Sequence, residues 1–72
     1  MSNLEILGKR IKSLRENKNI TQVDLASIIN KDQQSLQRLE KGKVNPGYEY
    51  LLDIAEGLSM SISELLSFET EK

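Results

Sequence analysis

The stretch from Thr21 to Gly42 constrains the fold of this 72-residue chain more than any other. It reads TQVDLASIINKDQQSLQRLEKG, and Thr21 and Asp32 are N-cap residues of the kind that bind free amides at helix starts. Asn30 between them tolerates the left-handed backbone of a tight turn, and Gly42 is typical of a helix end. Because such short helices are unstable alone in water, we expect two helices, joined by a tight turn and supported by others.

The second of these two helices has a narrow apolar stripe and an unusual polar face. Leu36 and Leu39 are predicted to be buried. The outer face holds three amides and one guanidinium, with no acid before Glu40: Gln33, Gln34, Gln37 and Arg38. Glutamine can form paired hydrogen bonds with adenine, and arginine with guanine, in the major groove of DNA. The pattern favours a surface that reads base edges in double-stranded DNA, and an ordinary solvated helix face is the alternative.

Two capping boxes predict helices near the two ends of the chain. Ser2 and Glu5 have the spacing in which each side chain binds the other residue's amide, and they open a helix from about Leu4 to Asn17. The sequence SISE at 61–64 has the same spacing and opens a short last helix. These two helices are predicted to support the central pair.

A fourth helix is predicted between the central pair and the last helix. It starts at Gly47 or, alternatively, at Asn45 with Pro46 as its first residue. Apolar residues at helical spacing give the core: Leu4, Leu7, Ile11, Leu14, Val23, Leu25, Ala26, Ile28, Ile29, Leu36, Leu39, Leu51, Leu52, Ile54, Ala55 and Leu58. We therefore predict an all-α fold of five helices in a single domain over residues 1–72, with a short polar tail at 69–72.

Composition argues against several classes of function. The chain has no cysteine and no histidine, which removes disulfides, zinc fingers, thiol chemistry and imidazole catalysis. We expect no metal, no cofactor and no small-molecule ligand, and the remaining side chains offer no credible nucleophile–base pair for an enzyme. Three aromatic residues are few for stacking on single strands, so Tyr48 and Tyr50 are predicted to pack or to lie at a rim. Without a bilayer-spanning apolar run or a signal peptide, the predicted location is the cytoplasm.

Charge is divided unevenly along the chain. Residues 1–44 hold nine Lys or Arg and five acids, a net charge of +4, whereas residues 45–72 hold six acids and one Lys, a net charge of −5. If the basic and acidic halves are also separated in the folded domain, the basic half would face DNA phosphates. The alternative is a solvated surface on which charges of both signs are mixed. Lys41 and Lys43 flank Gly42 and suit either a phosphate or the negative end of a helix.

Apolar residues near the end of the chain exceed what one small core requires. They either cover the core or face a partner: Met60, Ile62, Leu65, Leu66 and Phe68. We expect Met60, Ile62, Leu65 and Phe68 to form the interface of a homodimer.

Taken together, five segments resemble one known family. They are GKRIKSLRENKNITQVDLA, QQSLQRLEKGK, NP, YLLDIAEGL and SISELL, and they cover the chain from Gly8 to Leu66. The sequence resembles the Cro/repressor type of helix-turn-helix protein (the XRE family), which includes lambdoid phage repressors and restriction-modification controller proteins. The resemblance implies a compact lambda-repressor-like fold and a transcription regulator, of the repressor kind, that binds a palindromic operator as a homodimer. Asn30 and Ser59 depart from the family, which usually has glycine at both positions.

The resemblance also implies roles for individual residues. The base-reading residues would be Gln33, Gln34, Gln37 and Arg38. The phosphate-contacting residues would be Thr21, Gln22, Ser35, Lys41 and Lys43. Gln22 would also brace the recognition helix, and Arg15 and Glu40 match a buried ion pair between the first and third helices. The alternative function is an antitoxin or antirepressor that keeps this fold but mainly binds another protein.

Overall fold

The computed structural model describes residues 2–68, and the polar tail predicted at 69–72 lies outside them. The described chain is all-α, with five helices in the predicted order: α1 (Asn3–Asn17), α2 (Gln22–Ile28), α3 (Gln33–Glu40), α4 (Tyr48–Gly57) and α5 (Ile62–Leu65). Helix α3 packs against both α1 and α2, while α4 packs against α2 and α5. None of these helices is long and apolar enough to cross a membrane.

Hydrogen bonds at the helix starts confirm the predicted caps. The Ser2 hydroxyl accepts the Glu5 amide at 3.1 Å, and the Glu5 carboxylate accepts the Ser2 amide at 3.0 Å. The bond from the Ser2 amide lowers the pKa of Glu5. At the other end of the fold, the capping box of Ser61 and Glu64 opens α5. Local sequence signals therefore fix where the first and last helices begin.

The starts of the three middle helices are also set locally. Thr21 accepts the amide of Asp24 at 3.0 Å, and Asp32 caps α3 in the same way. Gly47 is the N-cap of α4, without a side-chain hydrogen bond. The alternative start of this helix at Asn45 is wrong, since Pro46 lies outside α4.

Left-handed backbone conformations occur at the connections between helices. Asn30, in the turn between α2 and α3, has a φ of +58°, as its residue type predicts. Ser59, between α4 and α5, has a φ of +57°. Serine lacks the amide side chain that helps asparagine tolerate this region, so we infer local strain at Ser59.

Replacing Ser59 by glycine is expected to stabilise the domain. Glycine removes a conformational penalty of about 1–2 kcal/mol, and its greater freedom in the unfolded chain cancels part of that gain. We expect the free energy of unfolding to rise by about 0.5–1 kcal/mol, measured by urea denaturation. Asn30→Gly serves as the matched comparison and should gain less. A loss of stability in Ser59→Gly would contradict the assignment of strain.

The core lies where all five helices meet. Its fully buried side chains come from every helix: Ile11, Leu25, Leu36, Leu39, Ile54, Leu58 and Leu65. The prediction that Val23 and Ile28 belong to this core is wrong, because they are 55% and 59% exposed. On a helix turning 3.6 residues per turn, both side chains point about 110° away from the buried stripe of α2.

Leu65 and Leu66 take opposite roles in α5. Leu65 is completely buried in the core of the protomer, so its prediction as a dimer-interface residue is wrong for this fold. Leu66 is 41% exposed and lies beside it at the end of the helix. Because both are leucines in a single helical turn, the sequence alone could not decide which one faces the core.

Helices α1 and α3 approach closely at Gly8. A Cβ atom at this position would lie 2.5 Å from the backbone oxygen of Glu40 and 2.6 Å from that of Leu39. Real Cβ contacts are not this short, so only glycine fits between the two backbones. Gly8 therefore sets how near α1 can come to the polar end of α3.

Candidate nucleic-acid interface

Helix α3 presents its polar face to solvent. The four side chains predicted to read bases are all exposed: Gln33, Gln34, Gln37 and Arg38. Leu36 and Leu39 anchor the opposite face, with 0% and 1% exposure. One row of amide and guanidinium groups therefore lies on the solvent side of α3, while buried leucines hold the other side of the helix in the core.

A buried ion pair joins α1 to the last residue of α3. The Arg15 guanidinium donates to both carboxylate oxygens of Glu40, through Nε at 2.8 Å and Nη2 at 3.0 Å. Its Nη1 donates to the backbone oxygen of Ile20 at 2.9 Å. Both charged residues are buried, and the bonds to Glu40 raise the pKa of Arg15. The ion pair implied by the family resemblance is thus present, with paired geometry.

Gln22 connects this ion pair to the exposed face. Its Nε2 donates to Oε1 of Glu40 at 3.1 Å, and its Oε1 accepts from Nε2 of Gln33 at 3.4 Å. The amide of Gln22 is therefore oriented by the carboxylate behind it. In turn it orients Gln33, whose carbonyl oxygen and second N–H can still pair with a base edge.

Ser35 has a hydrogen-bond partner that the sequence does not predict. Its hydroxyl lies 3.1 Å from the hydroxyl of Tyr50 on α4. The Lys31 ammonium lies 5.1 Å from the centre of the Tyr50 ring, within the range of a cation–π contact. Tyr50 therefore ties the turn before α3 and the first turn of α3 to α4. No local signal could have identified this contact, because it depends on the packing of α4.

Two exposed lysines, Lys12 and Lys41, lie beside the polar face of α3. Lys12, Gln22, Gln37, Glu40 and Lys41 line a cavity of about 190 Å³ between α1 and α3. Lys12 joins the site only through this packing, so the sequence did not single it out. The other predicted phosphate-contacting residues Thr21 and Lys43 are exposed as well.

Comparisons with known proteins agree with this geometry. A family model described as helix-turn-helix matches residues 11–65. The chain is 33% identical over 64 residues to the immunity repressor protein of Bacillus phage phi105, a match that covers 89% of this chain and 44% of that repressor. This chain therefore spans less than half of that relative.

Solved structures show the same similarity. The restriction-modification controller protein C.AhdI from Aeromonas hydrophila superposes with a TM-score of 0.85 at 28% identity, covering 88% of this chain and 96% of that one. The controller protein C.Esp1396I, solved as a tetramer with its operator, gives a TM-score of 0.81 at 31% identity, covering 86% and 82%.

The five-helix fold, the exposed polar face of α3 and these similarities define a DNA-binding helix-turn-helix transcription regulator of the repressor type. The chain belongs to the helix-turn-helix family. The resemblance to the Cro/repressor type is therefore confirmed, and its members are DNA-binding regulators rather than enzymes.

Proposed function

We propose that this protein is a sequence-specific repressor that binds a palindromic operator in double-stranded DNA as a homodimer. Helix α3 enters the major groove, where Gln33, Gln34, Gln37 and Arg38 read base edges. The phosphate contacts come from Thr21, Gln22, Ser35, Lys41 and Lys43. The observation that carries this proposal is the exposed amide row of α3, with Gln33 already oriented by Gln22 at 3.4 Å.

The orientation of Gln33 supports direct reading of bases. A glutamine side chain pairs with adenine when its carbonyl oxygen accepts from N6 and its amide donates to N7. The hydrogen bond to Gln22 uses one N–H of Gln33 and leaves the carbonyl oxygen and the other N–H for such a pair. Holding the amide in place before binding lowers the entropic cost of ordering it on DNA.

Apolar side chains around α5 support a homodimer. Met60, Ile62 and Phe68 are half-buried, and Leu66 is more exposed than any of them. A second copy of the chain would cover this surface, and two copies would place their recognition helices in half-sites about 34–36 Å apart. The similar controller protein C.Esp1396I was solved as a tetramer on a 35-base-pair operator. Such a regulator would act in the cytoplasm.

Random-site selection on duplex DNA at one fixed salt concentration tests the proposal. We expect enrichment of an inverted repeat whose two halves lie about one helical turn apart. Enrichment of single half-sites only would contradict homodimeric binding. Failure to enrich any duplex would contradict DNA binding itself and favour the alternative of a protein-interaction module.

Base-reading and phosphate-contacting residues are expected to respond differently to substitution. Gln34→Ala should lose about 1–3 kcal/mol of binding free energy at one base position and relax the preference there. Lys43→Ala should weaken specific and random duplexes alike and reduce the slope of log affinity against log salt by roughly 1. Both are measured by fluorescence anisotropy over a salt series. Identical behaviour of the two variants toward the two kinds of duplex would contradict the assigned roles.

A further inference from the structure

Arg10 faces the last helix, α5, instead of the polar face of α3. Its Nη2 donates to the backbone oxygen of Glu64 at 2.9 Å, and its Nε donates to the backbone oxygen of Leu65 at 3.2 Å. These two carbonyls belong to the end of α5, and Arg10 lies 54 residues earlier in the chain, on α1. In the sequence, Arg10 is one of the nine Lys or Arg residues of the basic half, with no signal for this contact.

The end of α5 depends on such a partner. The helix has four residues, too few to be stable without tertiary contacts. The carbonyls of its last turn have no N–H donors further along the helix. The Glu64 carbonyl also accepts the amide of Ser67 at 3.2 Å, whereas the bond shown for the Leu65 carbonyl within the described residues comes from Arg10. A cation at this end is also favoured by the helix dipole. A guanidinium that makes two bonds from one plane also fixes direction, which a single ammonium contact would not.

Leu65 and Arg10 restrain α5 in different ways. The buried side chain of Leu65 and the partly buried side chain of Ile62 pack one side of the helix against the core. Apolar packing is non-directional, so it opposes rotation of a one-turn helix about its own axis less strictly than hydrogen bonds do. The two bonds from Arg10 to the carbonyls of Glu64 and Leu65 oppose that rotation, so they determine which way Ile62 and Leu66 face.

Helix α1 holds both the reading helix and the last helix through arginine side chains. Arg15 binds Glu40 at the end of α3, and Arg10 binds the end of α5. At 1.5 Å rise and 3.6 residues per turn, the two arginines lie about 7.5 Å apart along α1 and point about 140° apart around it. One rigid helix therefore sets the position of α3 relative to α5.

We propose that Arg10 is a positioning residue for the homodimer. It holds α5 so that Ile62, Leu66 and Phe68 face a second copy of the chain, and it thereby sets the separation of the two recognition helices. The inference rests on the proposed homodimer. It adds that operator spacing depends on a residue that contacts neither DNA nor the partner copy.

The test compares Arg10→Gln with Lys9→Gln, which removes the same charge from an exposed neighbouring position on α1. Dimerisation is measured by sedimentation equilibrium. DNA binding is measured on a single half-site, on the selected palindrome, and on palindromes with one base pair added or removed between the halves. A random duplex of the same length gives the non-specific background.

We expect Arg10→Gln to weaken dimerisation about tenfold, the effect of losing hydrogen bonds to a charged group. Binding to a single half-site should stay within about twofold, and the preference for the natural spacing over the altered spacings should shrink. Lys9→Gln should keep both dimerisation and spacing preference. Arg10→Lys keeps the charge but not the paired geometry, so it should fall between the wild type and Arg10→Gln, and it replaces Arg10→Gln should that variant not fold.

Three results would overturn the inference. If both Arg10 variants dimerise and prefer the natural spacing as the wild type does, the position of α5 does not depend on the hydrogen bonds from Arg10. An equal loss on half-sites and palindromes would show that Arg10 acts on DNA contact or folding. A wild-type protein that remains monomeric and binds only half-sites would remove the proposed homodimer itself, a failure visible before any variant is made.

Discussion

Glu40→Ala is expected to unfold the domain rather than merely weaken DNA binding. Among the described residues, the substitution leaves Arg15, which is 7% exposed, with the Ile20 carbonyl as its one remaining hydrogen-bond partner. Removing one partner of a buried ion pair costs about 3–5 kcal/mol. At about 0.05–0.15 kcal/mol per residue, a 72-residue domain has a total stability of only about 4–11 kcal/mol. Thermal denaturation followed by circular dichroism measures the loss.

Two further variants separate the ion pair from a general effect of charge. Glu56→Ala removes an exposed carboxylate from α4 and should leave the melting temperature nearly unchanged. Replacing Arg15 and Glu40 together by methionine removes both buried charges and should recover much of the lost stability. A Glu40→Ala protein that melts near the wild-type temperature would refute the role assigned to this pair.

Gly8→Ala is expected to destabilise the domain although alanine favours helices. Helix propensity alone predicts a gain of about 1 kcal/mol. The new Cβ, however, would lie 2.5 Å from the Glu40 backbone oxygen, and backbone cannot rotate away as a side chain can. Overpacking costs about 1–3 kcal/mol and occasionally more, and we expect a net loss of about 2 kcal/mol in urea denaturation.

Ser13→Ala is the matched control for Gly8→Ala. Ser13 is exposed on the same helix, so alanine there should be neutral or slightly stabilising. Because the displaced backbone belongs to the end of α3, Gly8→Ala should also weaken operator binding at temperatures where it remains folded. A rise in stability for Gly8→Ala would show that α1 can move away from α3 at little cost.

The sequence predicted the helices well because their boundaries are encoded locally. The caps at Ser2, Thr21, Asp32 and Ser61 bind amides three residues away, and such contacts depend on spacing alone. The left-handed turn at Asn30 follows from its residue type in the same way. Because each of these local signals specifies a helix boundary by itself, the sequence predicts five helices in the observed order.

What the sequence did not reveal depends on contacts between helices. Val23 and Ile28 look like core residues until the short α2 shows which side is covered. The contacts made by Tyr50 and Arg10 join helices that are distant in the chain. Periodicity reports that a residue is apolar or cationic, but the neighbour it meets is decided by how the helices cross.

The hydrogen bond between Gln22 and Gln33 has a consequence for how such a regulator could acquire new target sites. Among the described residues, Gln34, Gln37 and Arg38 have no hydrogen bond from their side chains, so they can be exchanged without disturbing the interior. Gln33 is linked through Gln22 to Glu40, so altering it also alters a chain of contacts that reaches the interior. In the proposed DNA complex, new target sites should therefore arise by substitution of Gln34, Gln37 and Arg38, while an unchanged Gln33 would keep one base contact in common.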